Sequence, residues 1–419
     1  MRETLILKAM QQLNKIINNT ILTCLAIQIF SVSFSIAVSS IAFGIWGGLW
    51  IIQVLFIERK FNFDKPLFRE IKWINYFIAF LILADLVSRI FAFYPEGALI
   101  GFKRNLLFLI FFVSIIKIND FETFRRILII NLIIVAVFSF LEIVYFGYYL
   151  REELMFTKFS EVRLDNFSHP ITTAEIKMMF FLQFLPLLFL GKTYLKEFFI
   201  ERKYLVAIFI PLLIAIFITQ TRNVYIAVFV CILIYGFYFK WKFAVSFIIL
   251  CAVLYFTLPN ALTDRVRSIV DPTTLSAVSR EMIWKNGWKI FKNNPVIGIG
   301  DNKVMEVYKF YKPDMDSTME HSHLHSTPLM ILATTGIIGA LAFIGFFAAL
   351  FMKMVRLMER SRNETIKQFI FGSILCLIGF LISGFTEWNF GDAEVFTVLI
   401  FMLSLPFVLF KIQRNEFNK

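Results

Sequence analysis

Residues 321–326, with the sequence HSHLHS, hold three of the chain's four histidines at alternate positions, directly before an apolar segment. Three imidazoles can hold a zinc ion with one open coordination position, and a single imidazole with a pKa of about 6.5 can instead abstract a proton. Without distortion of this segment, His321, His323 and His325 are not expected to converge on one ion. The segment favours proton abstraction over a metal site, and a purely structural role stays open.

Four cations elsewhere in the sequence have positions that suit an anion. Arg222 lies in a very short connection between two apolar segments, and Arg280 lies in the first turn of a helix predicted over 279–293. An arginine fork binds phosphate oxygens, and the amides of a first helical turn would support it. Lys103 and Arg104 begin another apolar segment. These side chains predict an anion-binding region, with contact to lipid headgroups as the alternative.

The elements that must position these residues are membrane helices. Of the 419 residues, 58% are hydrophobic and 17% are charged, whereas a soluble domain is about half apolar and a quarter charged. Apolar stretches of about 18 residues or more recur along the chain. The sequence therefore predicts an all-α polytopic membrane protein with about twelve spans. They are expected at 20–37, 40–57, 73–91, 99–116, 127–146, 177–191, 203–219, 223–239, 243–259, 327–352, 366–385 and 395–411.

The net charge of +12 is explained by membrane orientation. Basic clusters follow the second span (59–72) and the tenth (353–367), as expected when both segments face the cytoplasm. The excess positive charge then contacts acidic membrane lipids, and it does not imply a nucleic-acid partner. Asp85 and Arg89, four residues apart in the third span, are expected to form an ion pair. All four cysteines fall in apolar stretches, so neither a disulfide nor a thiolate metal site is expected.

The chain is predicted to be a single membrane domain, 1–419, with one large outer loop at 260–326 between spans nine and ten. A helix over 279–293 and a shorter one within 303–312 are expected in this loop. Residues 1–17 are predicted to form a separate amphipathic segment at the membrane interface. Arg265 and Arg267 are expected to be solvated, and His169 to be structural. The predicted helix has an apolar face that would be buried or rest on the membrane, formed by Met282, Trp284, Trp288 and Phe291.

Several of these stretches resemble the O-antigen ligase and polymerase family of membrane glycosyltransferases. In that family's signature, a histidine followed by Asn, Ser or Gln precedes a span containing GxxG. His325 and Ser326, followed after nine residues by GIIG (336–339), are similar to it. Asn is commoner than Ser at the second position. TQTR (219–222), Arg280 with Trp284, and PVIGIG (295–300) extend the resemblance.

The resemblance implies a type C glycosyltransferase-like fold and transfer of a glycan from undecaprenyl diphosphate, without a metal or other cofactor. The reaction would take place at the periplasmic face of the bacterial inner membrane. A ligase uses the lipid A–core oligosaccharide as acceptor, and a polymerase uses a second lipid-linked glycan. Residue by residue, His325 matches the catalytic histidine, and Arg222 and Arg280 match the phosphate-binding arginines, with Lys103 and Arg104 as further candidates. The ligase interpretation is preferred.

A transporter or flippase for an anionic lipid is the alternative from another functional class. It could bind a diphosphate through the same arginines without chemistry. Transporters favour sites at the midplane of the bilayer, on broken helices and between internal repeats. This sequence shows no repeat, and its polar residues gather on one face, so the enzyme interpretation is favoured.

Overall fold

The computed structural model describes residues 2–58, 65–155, 157, 159, 162–164, 169–191, 201–269, 271–311 and 323–417. The described residues are helical, with short connections. The helices are α1 (Arg2–Ser31), α2 (Ile36–Ile52), α3 (Lys65–Glu70), α4 (Lys72–Ile90), α5 (Phe108–Lys117), α6 (Phe121–Glu153), α7 (Pro170–Phe184), α8 (Arg202–Ile218), α9 (Arg222–Phe239), α10 (Trp241–Thr257), α11 (Asn260–Arg267), α12 (Leu275–Asn293), α13 (Val304–Lys309), α14 (Thr327–Arg360), α15 (Glu364–Gly384) and α16 (Ala393–Phe417). Turns of 3-10 helix at Ala98–Leu107 and Leu185–Phe189 continue into α5 and extend α7.

Ten helical segments among the described residues are long and apolar enough to cross a membrane. The other two predicted spans coincide with α8 and α10, which have 17 residues each, or about 25 Å at 1.5 Å per residue. The expected all-α polytopic membrane architecture is confirmed. The segment predicted at residues 1–17 is continuous with the first span, because α1 runs without interruption from Arg2 to Ser31.

The centre of the molecule is formed by α7, α15 and α16. The apolar windows of these three helices are 89%, 78% and 94% buried within the chain, whereas those of α1 and α2 are each 28% buried. Large side chains such as Phe180, Phe369 and Phe380 fill the space between them. Helices α4 and α12 pack against α14, and α14 packs against α15. The buried centre therefore holds the starts of α7, α14 and α16 in fixed positions relative to one another.

Helix α14 is broken at Gly336, which has φ +64° and ψ −162°. Residues 295–300 cross the break: the amides of Ile299 and Gly300 donate to the carbonyls of Ala333 and Thr334 over 3.0 and 2.9 Å. The amide of Ile337 donates to Pro295 over 2.8 Å. A side chain on Gly336 would meet the carbonyl of Val296, so the crossing requires glycine. The first glycine of the GIIG stretch therefore permits this backbone crossing.

The long loop contains one more helix than expected, and α12 differs from its prediction. Thr274 caps α12 by accepting from the amide of Ala277, so the helix begins at Leu275 and Arg280 lies in its second turn. The predicted support of Arg280 by first-turn amides is therefore wrong. The buried face is also different: Met282 and Trp288 are exposed, while the side chains on the buried face are Ser279, Ile283, Asn286 and Ile290.

Candidate active site

Two histidines and a glutamate meet where α14 begins, and we call them the histidine–glutamate group (His323, His325 and Glu387). Nε2 of His323 lies 3.3 Å from Oε1 of Glu387, and Nδ1 of His325 lies 3.4 Å from Oε2. The backbone amide of His325 donates to Nδ1 of His323 over 3.2 Å. These contacts engage both nitrogens of His323. When Nδ1 of a neutral His325 donates to Glu387, the basic lone pair of the ring is on Nε2.

The backbone at His325 has an uncommon conformation. Its φ of +47° lies in the left-handed region, which an ordinary side chain seldom adopts. The expectation that the histidines do not converge is wrong for His323 and His325, whose ring centroids are 4.3 Å apart. Ser326 then starts α14 by accepting from the amide of Leu329. His321 lies outside the described residues.

Glu387 is 5% exposed, and it follows the end of α15. Burial raises its pKa, but the hydrogen bond from His325 and the charges of His323 and His325 outweigh burial, so the pKa of Glu387 lies below its ordinary value. An ionised carboxylate here can orient both imidazoles and stabilise an imidazolium. The three side chains could also hold a metal ion, since one ligand atom from each lies within 4.8 Å of the others.

Four arginines lie together next to this group, and we call them the arginine cluster (Arg163, Arg222, Arg265 and Arg280). Arg222 donates to the carbonyl of Ser268 over 2.7 Å and to the hydroxyl of Ser276, so it joins the ends of α11 and α12. Arg265 donates to the carbonyl of Gln220 over 2.8 Å. Within the described ranges no carboxylate forms an ion pair with Arg222, Arg265 or Arg280. The cluster therefore concentrates positive charge.

The pKa shifts of these arginines reflect how close they lie to one another. Burial lowers the pKa of Arg265, and the positive charges of Arg163 and Arg280 lower it further. Burial also lowers the pKa of Arg280, while the negative charge of Glu387 acts in the opposite direction. One turn beyond Arg280, the indole nitrogen of Trp284 donates to the carbonyl of His325 over 3.2 Å. Helix α12 thus brings Arg280 beside the histidine–glutamate group.

The remaining predicted cations have different surroundings. Arg104 forms an ion pair of 3.2 Å with Asp301, which also pairs with Arg89 at 2.9 Å. Arg89 in turn contacts Asp85 at 3.0 Å, which confirms the predicted pair. We call these four residues the Asp301 network. The guanidinium of Arg104 also lies 5.5 Å from the centre of the Trp388 ring. Lys103 is exposed and makes no described contact.

An apolar groove begins beside His325 and runs along α14 and α15. It holds about 960 Å³ of empty space and is bordered by Pro328, Ile331, Phe343, Leu381 and Phe385. Phe385 is 63% exposed and Ile344 is 62% exposed. A groove of this kind at membrane level can hold the tail of a lipid.

Sequence analysis missed three residues of this site. Glu387 lies in GFTEWNF, a short connection between two spans. Its acidic side chain beside a span was the feature that could have indicated a functional role. Arg163 lies between α6 and α7 and donates to the carbonyl of Thr219 over 3.1 Å. Arg265 was expected to be solvated, but it packs against Gln220 instead. Only the folded chain shows that these distant segments meet.

Together the helices and the polar group at their ends define a multi-pass membrane protein with a cationic and imidazole-bearing site. Residues 207–344 match the model of a family described as O-antigen ligase. The matched region contains Arg222, Arg265, Arg280 and both described histidines of the histidine–glutamate group. The match confirms over these residues the resemblance found in the sequence, and this region is similar to the O-antigen ligase family. The chain matches no curated protein sequence.

Proposed function

We propose that this protein is an O-antigen ligase-type glycosyltransferase of the bacterial inner membrane. It moves a glycan from undecaprenyl diphosphate to the lipid A–core oligosaccharide at the periplasmic face. The observation that carries the proposal is the position of the histidine–glutamate group between the arginine cluster and the apolar groove. A base, an anion site and a lipid site lie side by side, as transfer from a lipid diphosphate requires.

The donor diphosphate binds to Arg222 and Arg280. Both guanidinium groups lie in a region without paired carboxylates, and Arg222 is held by two serines that an anion can displace. Negative charge grows on the diphosphate as the bond to the sugar breaks, and preorganised arginines stabilise that charge. The isoprenoid tail lies in the groove along α14 and α15. Arg104 is neutralised by Asp301. Neither Arg104 nor Lys103 contacts the diphosphate directly.

His325 acts as the general base. Its Nδ1 hydrogen donates to Glu387, so Nε2 takes the proton of the acceptor hydroxyl as that oxygen attacks the anomeric carbon. The new bond forms between this oxygen and the sugar carbon. The bond to the diphosphate breaks, and its electron pair leaves with undecaprenyl diphosphate. Attack from the side opposite the leaving group inverts the anomeric configuration.

Because no step in this scheme uses a metal, we expect transfer to persist in the presence of EDTA. A metal held by His323, His325 and Glu387 is the competing chemistry, and the distances among their ligand atoms are compatible with it. A polymerase that uses a second lipid-linked glycan as acceptor would need the same base and the same anion site. The two family activities therefore differ at the acceptor.

The test is glycan transfer by the purified full-length protein in liposomes. The donor is an undecaprenyl diphosphate-linked glycan, and the acceptor is a lipid A–core glycolipid. Wild-type protein should join the two. A ladder of longer glycans from a single lipid-linked repeat would identify a polymerase instead. Binding of the donor without any transfer, together with its movement across the bilayer, would favour a transporter.

His325→Ala should retain donor binding and lose transfer by about 10²–10⁴-fold, the usual contribution of a general base. His323→Ala is the matched control, since this ring touches the same carboxylate at nearly the same distance. It should keep most of the activity because both of its nitrogens have structural partners. Equal loss in both variants, with zinc in the purified protein and inhibition by EDTA, would support the metal site and refute the base.

A further inference from the structure

An open cavity adjoins the histidine–glutamate group at the start of α7. It holds about 700 Å³ of empty space, and its wall includes Glu175, Glu387, Asp392, Asn389, His323 and Trp388. No lysine or arginine borders it among the described residues. The cavity therefore differs in charge from the arginine cluster, although Asn223 beside Arg222 contacts Glu175 over 3.4 Å.

Glu175 has an oxygen that the protein itself does not satisfy. The residue is 0% exposed, and Oε1 accepts from the hydroxyl of Ser383 and the amide of Asn223. Oε2 is buried and has no hydrogen-bond partner among the described residues. The amide of Asn389 lies beside the carboxyl but donates to the carbonyl of Phe380 over 2.8 Å. Because buried acceptors are normally satisfied, this oxygen marks a place for a donor supplied by a ligand.

The other acids make the cavity suitable for hydroxyl groups and unsuitable for phosphate. Asp392 accepts from the hydroxyl of Thr172 over 2.5 Å and from two amides at the start of α16. Glu387 forms another part of the wall and at the same time contacts His325. A sugar hydroxyl can donate to such oxygens, whereas a phosphate would meet the carboxyl groups of Glu387 and Asp392 with no described lysine or arginine in the wall.

We propose that this cavity is the acceptor subsite and that it takes the hydroxyl-bearing, uncharged end of a glycan. The inference rests on the proposed function, and it adds the class of acceptor that the site accepts. A sugar held by Glu175 and Asn389 lies against Glu387, so one of its hydroxyls is brought to His325. The donor and acceptor thus bind in regions of opposite charge. A phosphate ester on the terminal sugar of the acceptor weakens its binding.

Glu175→Gln tests the subsite. Glutamine can still accept from Ser383 and Asn223, but it places an amide NH₂ where the unpartnered oxygen lies. In the liposome assay, the KM for the lipid A–core acceptor should rise by up to about tenfold, the upper end expected for one lost hydrogen bond. The KM for the donor and the kcat at saturating acceptor should stay within twofold. Glu281→Gln, which removes an exposed acid on α12, controls for net charge and should change neither constant.

Two acceptors with the same glycan test the specificity. One has an unmodified terminal sugar, and the other carries a single phosphate ester there. Wild-type protein should use the phosphorylated acceptor with a KM at least about tenfold higher, and Glu175→Gln should reduce that difference. Thr172→Val serves as a second cavity variant if Glu175→Gln is poorly folded, and it should raise the acceptor KM in the same direction.

The outcomes separate the subsite from the proposed function. An unchanged acceptor KM in a folded variant that still binds donor would overturn the subsite, and so would a donor KM that rises equally. Equal use of both acceptors would overturn the exclusion of phosphate. If wild-type protein instead extends a lipid-linked repeat, the ligase activity is refuted. The same KM comparison with the repeat as acceptor then decides whether the cavity binds it.

Discussion

The arginine cluster and the Asp301 network both contain arginines, but the partners of these arginines differ in charge. Arg89 and Arg104 share the carboxylate of Asp301, and Arg89 also contacts Asp85, so positive and negative charges balance within four residues. Among the described residues, Arg222 and Arg265 donate to serine groups and a backbone carbonyl and to no carboxylate. The presence of an arginine near the end of a span therefore does not identify an anion site. The charge of its partners does.

The difference has a physical consequence for each region. A buried ion pair costs desolvation, and it is tolerated when its partners and hydrogen bonds are complete, as they are for Arg89. The Asp301 network thus connects α4 and the 3-10 turn at Ala98–Leu107 to Asp301, which directly follows the crossing segment 295–300. Arginines without a carboxylate repel one another, and an added anion relieves that repulsion. One region is suited to stability and the other to binding.

The largest effect is expected from Asp301→Asn. Removing one member of a buried ion pair leaves an uncompensated charge, and about 3 kcal/mol of unfolding free energy should be lost, the lower end of the usual range for a partly exposed carboxylate. Unfolding of the purified protein in mixed detergent micelles measures this. The remaining folded protein should bind donor with an unchanged KM. A stable variant with impaired donor binding would place Asp301 in the substrate site and break the comparison.

Arg222→Ala should have the next largest effect, in catalysis. A hydrogen bond to a charged group contributes about 1.5–3 kcal/mol, so kcat/KM for the donor should fall by about 10- to 150-fold. Arg222→Lys should restore part of this loss, since lysine supplies charge but no planar fork. Arg126→Ala, at an exposed pair on α6, is the control and should behave as wild type. Undiminished donor use in Arg222→Ala would remove this residue from the anion site.

The fold was largely predictable because long apolar segments have few alternatives in a membrane. All twelve predicted spans coincide with helices, and the paired charges of Asp85 and Arg89 followed from their spacing alone. The position of Thr274 was decisive for α12, since its capping hydrogen bond starts the helix earlier than the sequence suggested. A local pattern indicates a helix more reliably than it indicates where the helix begins.

The site was predictable only in part. His325, Arg222 and Arg280 were identified because their spacing resembles a family signature, and the structure places them in one region. Glu387 could not be found in this way, because it approaches the histidines only after α15 has turned back beside α14. The left-handed conformation of His325, uncommon for any residue with a side chain, was not predicted from the sequence either.

Lys103→Ala is expected to have the smallest effect, and it tests how far the anion site extends toward the Asp301 network. Lys103 and Arg104 are adjacent in sequence, and both were predicted to bind the diphosphate, but Arg104 pairs with Asp301 while Lys103 is exposed to its surroundings. An exposed lysine at the end of a span contributes little to stability, usually within about 0.5 kcal/mol. The donor KM of Lys103→Ala should therefore change by no more than about twofold, measured in liposomes without anionic lipid so that headgroup attraction does not contribute. A donor KM that rises about tenfold would mean that the diphosphate reaches the 3-10 turn, and the anion site would then extend from the arginine cluster to the edge of the Asp301 network.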